Sequence, residues 1–325
     1  MTCGGYWRRI ILKTSFVFAS VCCSALMSVA EYTPPYSEIV ADASTGEVLY
    51  SDNASAETQP ASLTKMMTLY VVFKEIEKGR LKLEDRVYFS RNAERQRPSR
   101  LGIRCGASIS VREAIIALVV KSANDVAVAL AERVGGSAKE FVKLMNCYAK
   151  MLGMHHTTFT NPSGWKDKSQ KTTATDMIKL ARGLLANMGS FYPVFSIKQV
   201  KYCGSVIKNH NSILGELPGG ITVDGMKTGY VAASGFNLVA SATKNKKRIV
   251  AVVLGGPTSK WRDRRMKHLI QCAFNGELPE QVAVDGKLIN CSAKKTPIRK
   301  KMRRRRSINS ILRIKNAKCK TIKNR

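Results

Sequence analysis

The stretch from Leu63 to Phe73 is apolar on almost every side of a helical turn, with methionine, leucine, valine and aromatic residues in close succession. Such a helix must be covered by other layers all round, so it predicts a core helix over about residues 62–78, ended by Gly79. The chain has 325 residues, 44% of them hydrophobic, and can bury a core of that size. We therefore expect one large domain.

Ser62 and Lys65 stand at the head of this helix, three residues apart and therefore on one face. In a dry site, a neutral amine beside a hydroxyl takes its proton and makes the oxygen nucleophilic without a histidine. In a structural interpretation, Ser62 instead caps the helix and Lys65 extends to solvent. The same spacing recurs elsewhere, at Ser163/Lys166, Ser205/Lys208, Ser241/Lys244 and Ser292/Lys295. Taken alone, the spacing favours the structural interpretation.

The order of the remaining elements indicates an α/β fold. Residues 38–43 and 47–50 flank a Ser-Thr-Gly turn and predict a β-hairpin. Further helices are predicted over residues 110–121, 123–134, 138–152, 173–187 and 259–274. Later strands are predicted over residues 224–231, 236–243 and 248–255. Because strands occur at both ends and helices between them, we expect the terminal segments to share one mostly antiparallel sheet.

The N-terminus has the composition of an export signal. Arg8, Arg9 and Lys13 precede an apolar run over residues 15–27, and small residues suited to cleavage follow at 28–30. We expect residues 1–30 to be a signal peptide and the protein to be exported. An uncleaved N-terminal anchor is the alternative.

Positive charge is concentrated at the C-terminus. The formal net charge is +31, and residues 287–325 hold 16 of the 54 Lys and Arg residues but no Asp or Glu. The sequence shows no phosphate-binding glycine loop and no interleaved aromatic and basic pattern, so nucleic acid is not expected as a partner. We expect residues 277–325 to form a basic tail, either disordered or bound to an anionic membrane surface.

The sequence gives no sign of a metal site or a cofactor. The cysteines that follow the predicted signal are Cys105, Cys147, Cys203, Cys272, Cys291 and Cys319. They form no Cys-x-x-Cys pairs and have no histidines at zinc-site intervals. We expect no metal or cofactor and interpret most of these cysteines as small buried hydrophobic residues, with their pairing left open.

Two further motifs bear on the role of Ser62. Ser122-Ala-Asn124 lies between two predicted helices, and Lys227-Thr-Gly229 occurs near the start of the later strands. Together with Ser-x-x-Lys, these motifs form the signature of penicillin-binding proteins and class A β-lactamases. Ser51-Asp-Asn53 also fits the second motif, but it precedes Ser62 and ends the predicted hairpin, so we reject it.

Residues 36–276 resemble the D-alanyl-D-alanine carboxypeptidases of the low-molecular-mass penicillin-binding protein family, serine peptidase family S11. Besides the three motifs, the resembling stretches are 42–50, 60–67, 152–154, 161–162, 173–176 and 234–242. The resemblance implies a β-lactamase/penicillin-binding-protein-like fold, with a mostly antiparallel sheet flanked by helices and an all-helical subdomain. Residues 31–276 would form the catalytic domain. Ala123 and Trp165 depart from the glycine and leucine common in the family.

The resemblance implies a catalytic role for three residues. Ser62 would attack the carbonyl between two terminal D-alanines, Lys65 would accept its proton, and Ser122 would pass a proton to the departing D-alanine. Lys65 must then be partly neutral, which burial and the charge of Lys227 favour. Asn124 would hold the substrate amide, and Lys227 would supply positive charge beside the serines.

The resemblance also implies a binding site for a free C-terminus. Its substrate-binding residues would be Asn124, Lys227, Thr228, Gly229, Tyr230 and Arg262. Thr228 and Arg262 would bind the terminal carboxylate. The backbone N–H groups of Ser62 and Tyr230 would form the oxyanion hole, and Gly229 would let its strand approach closely.

Two other functions are open at this point. A serine β-lactamase shares the fold and the motifs, but class A enzymes deacylate through a glutamate that follows the Ser-x-Asn element, and no glutamate lies between Glu140 and Glu216. A catalytically silent cell-wall-binding protein would have no need of both serines and both lysines. We expect stem peptides ending in D-Ala-D-Ala as substrate, β-lactams as covalent inhibitors, and a location in the periplasm or at the outer face of the inner membrane.

Overall fold

The computed structural model describes residues 34–280 and two short strands that pair with each other, Ala283–Val284 and Lys287–Leu288. The predicted signal peptide at 1–30 and most of the predicted tail at 277–325 lie outside the described residues. Among the described residues, no helix is long and apolar enough to cross a membrane.

A six-stranded antiparallel sheet is the main β-structure. The strands are β1 (Ser37–Asp42), β2 (Val48–Asp52), β3 (Arg86–Tyr88), β4 (Ser108–Ser110), β5 (Gln199–Tyr202), β6 (Ser205–Lys208), β7 (Gly215–Leu217), β8 (Ile221–Val231), β9 (Gly235–Lys244) and β10 (Lys247–Gly256). The strand order in this sheet is β2-β1-β10-β9-β8-β7, and β1 pairs with β10. The prediction that both ends of the domain share one antiparallel sheet is confirmed.

Seven α-helices accompany the sheet in the described part of the chain. They are α1 (Thr64–Glu77), α2 (Arg91–Glu94), α3 (Val111–Val120), α4 (Asn124–Gly135), α5 (Ala138–Met151), α6 (Ala174–Asn187) and α7 (Ser259–Asn275). Ser110 and Glu113 form a capping box at the start of α3, and the hydroxyls of Thr173 and Thr258 cap α6 and α7. The six helices predicted from the sequence agree with the structure to within two residues at each end.

Two apolar layers lie on opposite faces of the sheet because side chains alternate along each strand. In β10, Val250 and Val252 contribute to the larger core, which also contains α1, α3, α4 and α6. Ala251 and Val253 point the other way, into a smaller core completed by α7. Residues 64–73 of α1 are all buried, which confirms the prediction of a core helix.

Several short elements were not predicted. The ribbons β3–β4 and β5–β6, strand β7, helix α2 and the 3₁₀ helix Tyr192–Ser196 have three to five residues each, too few for a periodic pattern. The expectation that most cysteines are buried is wrong for Cys105 and Cys203, which are exposed, whereas Cys272 is buried.

A buried ion pair joins α7 to β1. Arg265 donates to both carboxylate oxygens of Glu38, from Nε at 2.9 Å and from Nη2 at 2.5 Å. The side chains are 4% and 1% exposed, respectively. The hydroxyls of Tyr36 and Tyr50 donate to the same carboxylate. The charge of Glu38 is therefore satisfied by four donors, and loss of the carboxylate would leave Arg265 buried without a counter-ion.

We expect Glu38→Gln to lower the free energy of unfolding by about 3–5 kcal/mol, the usual cost of removing one member of a buried pair. Urea denaturation followed by circular dichroism measures the change. Glu57→Gln is the matched control, because Glu57 pairs with Lys171 at 3.0 Å while both side chains are nearly half exposed. That pair should contribute at most about 1 kcal/mol. Equal effects of the two substitutions would contradict the role of the buried pair.

Candidate active site

A cavity of about 370 Å³ lies where β8, the start of α1 and the α3–α4 junction meet. Seven of the nine residues predicted for the site line it: Ser62, Ser122, Asn124, Thr228, Gly229, Tyr230 and Arg262. Lys65 and Lys227 are buried next to this wall. Ser51-Asp-Asn53, rejected from the sequence, is absent from the cavity lining. The structure therefore brings the three motifs together.

Ser62 lies in a 3₁₀ turn, Ala61–Leu63, immediately before α1. Its side chain caps neither this turn nor α1, so the structural interpretation of Ser62 as a cap is wrong. Gly229 of β8 passes close to the turn, and a Cβ at Gly229 would lie 3.1 Å from the Ser62 nitrogen. A side chain at position 229 would therefore push β8 away from the serine.

Lys65 is fully buried, so it does not extend to solvent. Its Nζ lies 3.1 Å from Ser62 Oγ, 2.7 Å from Asn124 Oδ1 and 2.5 Å from the Ser163 carbonyl oxygen. A neutral amine has two hydrogens, which the amide and carbonyl oxygens can accept. Its lone pair is then left for the hydroxyl proton of Ser62.

The electrostatic environment of Lys65 favours the neutral amine. Burial and, next, the positive charge of Lys227 hold the pKa of Lys65 well below its ordinary value, while Asp125 acts in the opposite direction. Asp125 is itself buried, and its carboxylate accepts backbone N–H groups of Leu101 and Gly102 at 3.1 and 2.8 Å. The three oxygens around Lys65 Nζ are all uncharged, so none of them stabilises the ammonium as a counter-ion would.

The α3–α4 junction supplies Ser122 and Asn124. Ser122 adopts a left-handed backbone conformation, with φ of 57°, and faces the cavity. Its hydroxyl makes no hydrogen bond with the described residues, so it is available to a bound molecule. Asn124 is occupied at both ends, because Oδ1 accepts from Lys65 and Nδ2 donates to the Arg97 carbonyl at 2.9 Å. Its position suits it to orient Lys65, and its contact with a substrate amide stays a prediction.

Positive charge accumulates on the opposite wall. Lys227 is 2% exposed and donates to the Thr228 carbonyl at 2.9 Å. Burial, and then the charge of Arg262, lowers the pKa of Lys227 to about 7. Arg262 is 4% exposed and donates to Asp263 Oδ1 from Nε and Nη2, at 2.9 and 2.6 Å. Asp263 thus balances part of the charge, while other N–H groups of Arg262 can still reach an anion in the cavity.

Sequence reasoning missed the residues that position the Ser163 carbonyl oxygen to accept a hydrogen bond from Lys65 Nζ. Asn161 Oδ1 accepts the backbone N–H groups of Ser163, Gly164 and Trp165 at 2.8–3.2 Å. Gly164 has φ of 78°, and a Cβ there would lie 1.8 Å from the Ala61 carbonyl oxygen. Of this stretch, only Asn161-Pro162 was part of the resemblance, and only the folded contacts show that Asn161 supports the lysine.

Sequence reasoning also missed His210, because none of the three motifs contains it. It is exposed, but it lines the cavity. Asn209 Nδ2 donates to the Ile197 carbonyl at 2.8 Å and Asn211 Nδ2 to the Gly225 carbonyl at 3.3 Å, which fixes the loop on both sides of it. Although the residue as a whole is exposed, desolvation of its imidazole at the cavity wall and the surrounding cations, Lys227 foremost, lower the pKa of His210 to about 4. It is therefore neutral at neutral pH.

Comparison with known proteins shows the family of the chain. The family model for D-alanyl-D-alanine carboxypeptidases, peptidase family S11, matches residues 30–258. The chain belongs to this family. It is 34% identical over 257 residues to the D-alanyl-D-alanine carboxypeptidase DacD of Salmonella typhimurium, covering 77% of this chain and 65% of that protein. It is 35% identical over 275 residues to DacA of Haemophilus influenzae, covering 81% and 70%.

Solved structures of the family share the fold. Penicillin-binding protein 5 from Haemophilus influenzae superposes with a TM-score of 0.70 at 32% identity, covering 75% of this chain and 71% of that chain. Penicillin-binding protein D2 from Listeria monocytogenes, in its ampicillin-bound form, superposes with a TM-score of 0.63 at 28% identity, covering 73% and 96%. The fold inferred from the resemblance is therefore confirmed.

We expect Lys65 and Lys227 to titrate at unusually low pH, Lys227 near pH 7, because both are buried beside other cations. Lys227→Met should raise the pKa of Lys65 by removing a positive charge, and Asp125→Asn should lower it by removing a negative one. ¹³C NMR of lysine Cε signals measures these values. Lys171→Met, at the surface, is the matched control and should shift neither. Shifts of the same sign in the first two variants would contradict the electrostatic account.

Proposed function

We propose that this chain is a serine-type D-alanyl-D-alanine carboxypeptidase, which removes the terminal D-alanine of peptidoglycan stem peptides through an acyl-enzyme on Ser62. The observation that carries the proposal is the 3.1 Å contact between Lys65 Nζ and Ser62 Oγ, with the lysine completely buried. Family membership supports the same activity. The nine residues named from the sequence are proposed to form the site.

In the acylation step, Ser62 Oγ bonds to the carbonyl carbon between the two terminal D-alanines as its proton moves to Lys65 Nζ. The resulting oxyanion accepts hydrogen bonds from the backbone N–H groups of Ser62 and Tyr230. The carbon–nitrogen bond then breaks, and Ser122 Oγ delivers a proton to the departing amine while it receives the proton held by Lys65 Nζ, so that the lysine is neutral again. The unpartnered hydroxyl of Ser122 supports this role.

In the deacylation step, a water molecule attacks the ester carbon and gives its proton to Lys65, and Lys65 passes this proton to Ser62 Oγ as the ester bond breaks. Both steps need the neutral amine, so activity should fall as the pH drops through the pKa of Lys65. Because burial lowers that pKa, the neutral form exists at lower pH than for an exposed lysine.

Selection of a free C-terminus rests on positive charge. Lys227, Thr228 and Arg262 are proposed to bind the terminal carboxylate on the β8 side of the cavity. An anion there would raise the pKa of Lys227 again, because an opposite charge favours the ammonium. Substrate binding would thus keep Lys227 charged when it is needed.

A serine β-lactamase is the second candidate, and the cavity disfavours it. Among the described residues, no Asp or Glu lines the cavity that contains Ser62. Asp125, the carboxylate nearest in sequence to the Ser-x-Asn motif, is fully buried and held by backbone N–H groups. A penicilloyl ester on Ser62 would therefore lack the carboxylate that activates water in class A enzymes.

The proposal extends to the setting of the enzyme. The relatives include D-alanyl-D-alanine carboxypeptidases of Escherichia coli and Haemophilus influenzae, which supports the periplasm or the outer face of the inner membrane as its location. Residues 31–276 are proposed as the catalytic domain, supported by the end of α7 at Asn275 and the left-handed Gly276 that follows. Binding of the basic tail to an anionic membrane surface stays a prediction, since most of its residues lie outside the described part.

We expect Ser62→Ala to reduce D-alanine release from diacetyl-Lys-D-Ala-D-Ala by at least about 10⁴-fold, as for other serine nucleophiles. Labelling by fluorescent penicillin should disappear with it, since both reactions need the same oxygen. The matched control is Ser205→Ala, which removes a serine of the same Ser-x-x-Lys spacing from exposed strand β6. Full labelling of Ser62→Ala would overturn the nucleophile assignment.

We expect the ampicillin acyl-enzyme to persist for minutes or longer, because the cavity offers no carboxylate to activate water. Intact-mass spectrometry after removal of free ampicillin follows the decay of the adduct. Nitrocefin turnover, measured in parallel, should be far slower than D-alanine release from the peptide. Rapid multiple turnover of nitrocefin would instead place the chain among the β-lactamases.

A further inference from the structure

Residues 91–104, here called the arginine segment, border the catalytic cavity and carry a strong positive charge. The segment contains five arginines and one glutamate, a net charge of +4 (5 − 1). Those arginines are Arg91, Arg95, Arg97, Arg100 and Arg104, and all are exposed. Pro98 and Ser99, in the middle of the segment, line the cavity that contains Ser62. The charge therefore lies beside the catalytic cleft.

The segment is fixed against the catalytic residues by side-chain and backbone hydrogen bonds. Asn124 donates from its backbone nitrogen to the Ser99 carbonyl at 2.7 Å and from Nδ2 to the Arg97 carbonyl at 2.9 Å. Ser99 Oγ donates to the Lys121 carbonyl at 2.8 Å. The Asp125 carboxylate accepts two further backbone N–H groups, at 101 and 102. These contacts hold the arginine-bearing backbone in a defined position at the cleft.

Most guanidinium groups of the segment lack the hydrogen-bond partners that the other arginines of the described residues have. Between residues 34 and 280, every arginine outside the segment except Arg264 donates at least one side-chain hydrogen bond. Within the segment, only Arg100 does so, to the carbonyls of Glu94 and Gln96 at 3.2 and 3.5 Å. No arginine of the segment pairs with a carboxylate of the described residues. The segment therefore has a backbone of defined position that carries guanidinium groups with unpaired N–H donors.

We propose that the arginine segment binds carboxylates of the stem peptide that lie upstream of its terminal D-Ala-D-Ala, so that the enzyme prefers acidic stem peptides. The inference rests on the proposed function. Guanidinium groups match carboxylates because their planar N–H pairs can donate to both oxygens at once. An acidic peptide held at Ser62 would supply the counter-ions that the segment lacks.

The position of the segment favours the substrate over a separate anionic polymer or lipid. Arg97 and Arg100 directly flank Pro98 and Ser99, and successive Cα atoms are about 3.8 Å apart. Arg97 and Arg100 do not themselves line the cavity, but their backbone positions adjoin two residues that do, which places a peptide bound there within reach of their long side chains. A membrane or a phosphate polymer would have no reason to meet a charge placed at the cleft itself.

Two peptides that differ by one charge test the proposal. Both are acetyl-L-Ala-γ-D-Glu-L-Lys(acetyl)-D-Ala-D-Ala, but in the second the free α-carboxylate of the D-glutamate is an amide. We expect kcat/KM for D-alanine release to be about three- to tenfold higher for the acid at low salt, the range for one or two exposed ion pairs. The preference should vanish near 0.5 M salt, because screening then acts over a few Å.

Arg95→Gln/Arg97→Gln should lose the preference for the acid at low salt. Lys246→Gln/Lys247→Gln is the matched control and should retain it, since this turn lies at the other end of β9, about 25 Å along the strand from cavity residue Phe236. The rate of labelling by fluorescent penicillin checks that each variant keeps a folded site. An equal kcat/KM for both peptides in the wild type, or an unchanged preference in the arginine variant, would overturn the proposal.

Binding in a Ser62→Ala background separates this proposal from the proposed function. Fluorescence anisotropy gives the Kd of each labelled peptide without any reaction, and the acid should again bind about three- to tenfold more tightly. If neither peptide is cleaved by the wild type but this ratio holds, the proposed function fails and the docking surface stands. If the ratio is one and anionic phospholipid vesicles bind through the same arginines, the surface belongs to a membrane and the proposal is wrong.

Discussion

Burial of the Lys65 amine without a carboxylate partner is the constraint on which the rest of the site depends. Its Nζ contacts three uncharged oxygens, from Ser62, Asn124 and Ser163. An ammonium in such surroundings loses its hydration without gaining a counter-ion, so the neutral amine is favoured. The three oxygens come from the start of α1, the start of α4 and the 161–165 loop. The fold must bring these distant segments together before the serine has a base.

On the opposite wall of the cavity, buried positive charges favour the binding of an anion rather than the transfer of a proton. Lys227 and Arg262 are both almost fully buried, and the charge of Arg262 disfavours the ammonium form of Lys227. Asp263 balances part of this charge from beside Arg262, which leaves the cavity side positive. An anion that enters the cavity relieves the repulsion, so its binding and the protonation of Lys227 support each other. The cavity is therefore suited to substrates with a negatively charged end.

Much of the fold could be predicted because its long elements carry clear patterns. The apolar stretch of α1 and the strands β8, β9 and β10 are each ten residues or more, and the structure has them where the patterns placed them. The motif residues were found because their chemistry and order are distinctive. The Ser163 carbonyl, Asp125 and His210 were not, since a backbone oxygen has no sequence signal and the other two gain their positions only from tertiary contacts.

The arginine segment leaves the body of the protein between β3 and β4, and these two strands pair with each other. Its two ends are therefore joined, and a loop whose ends are already held together can change its length at little entropic cost. Only the hydrogen bonds that join residues 97–102 to Asn124 and Asp125 must be kept. A change in the length of the arginine segment would therefore alter the border of the cleft while the serine and its lysine stay as they are.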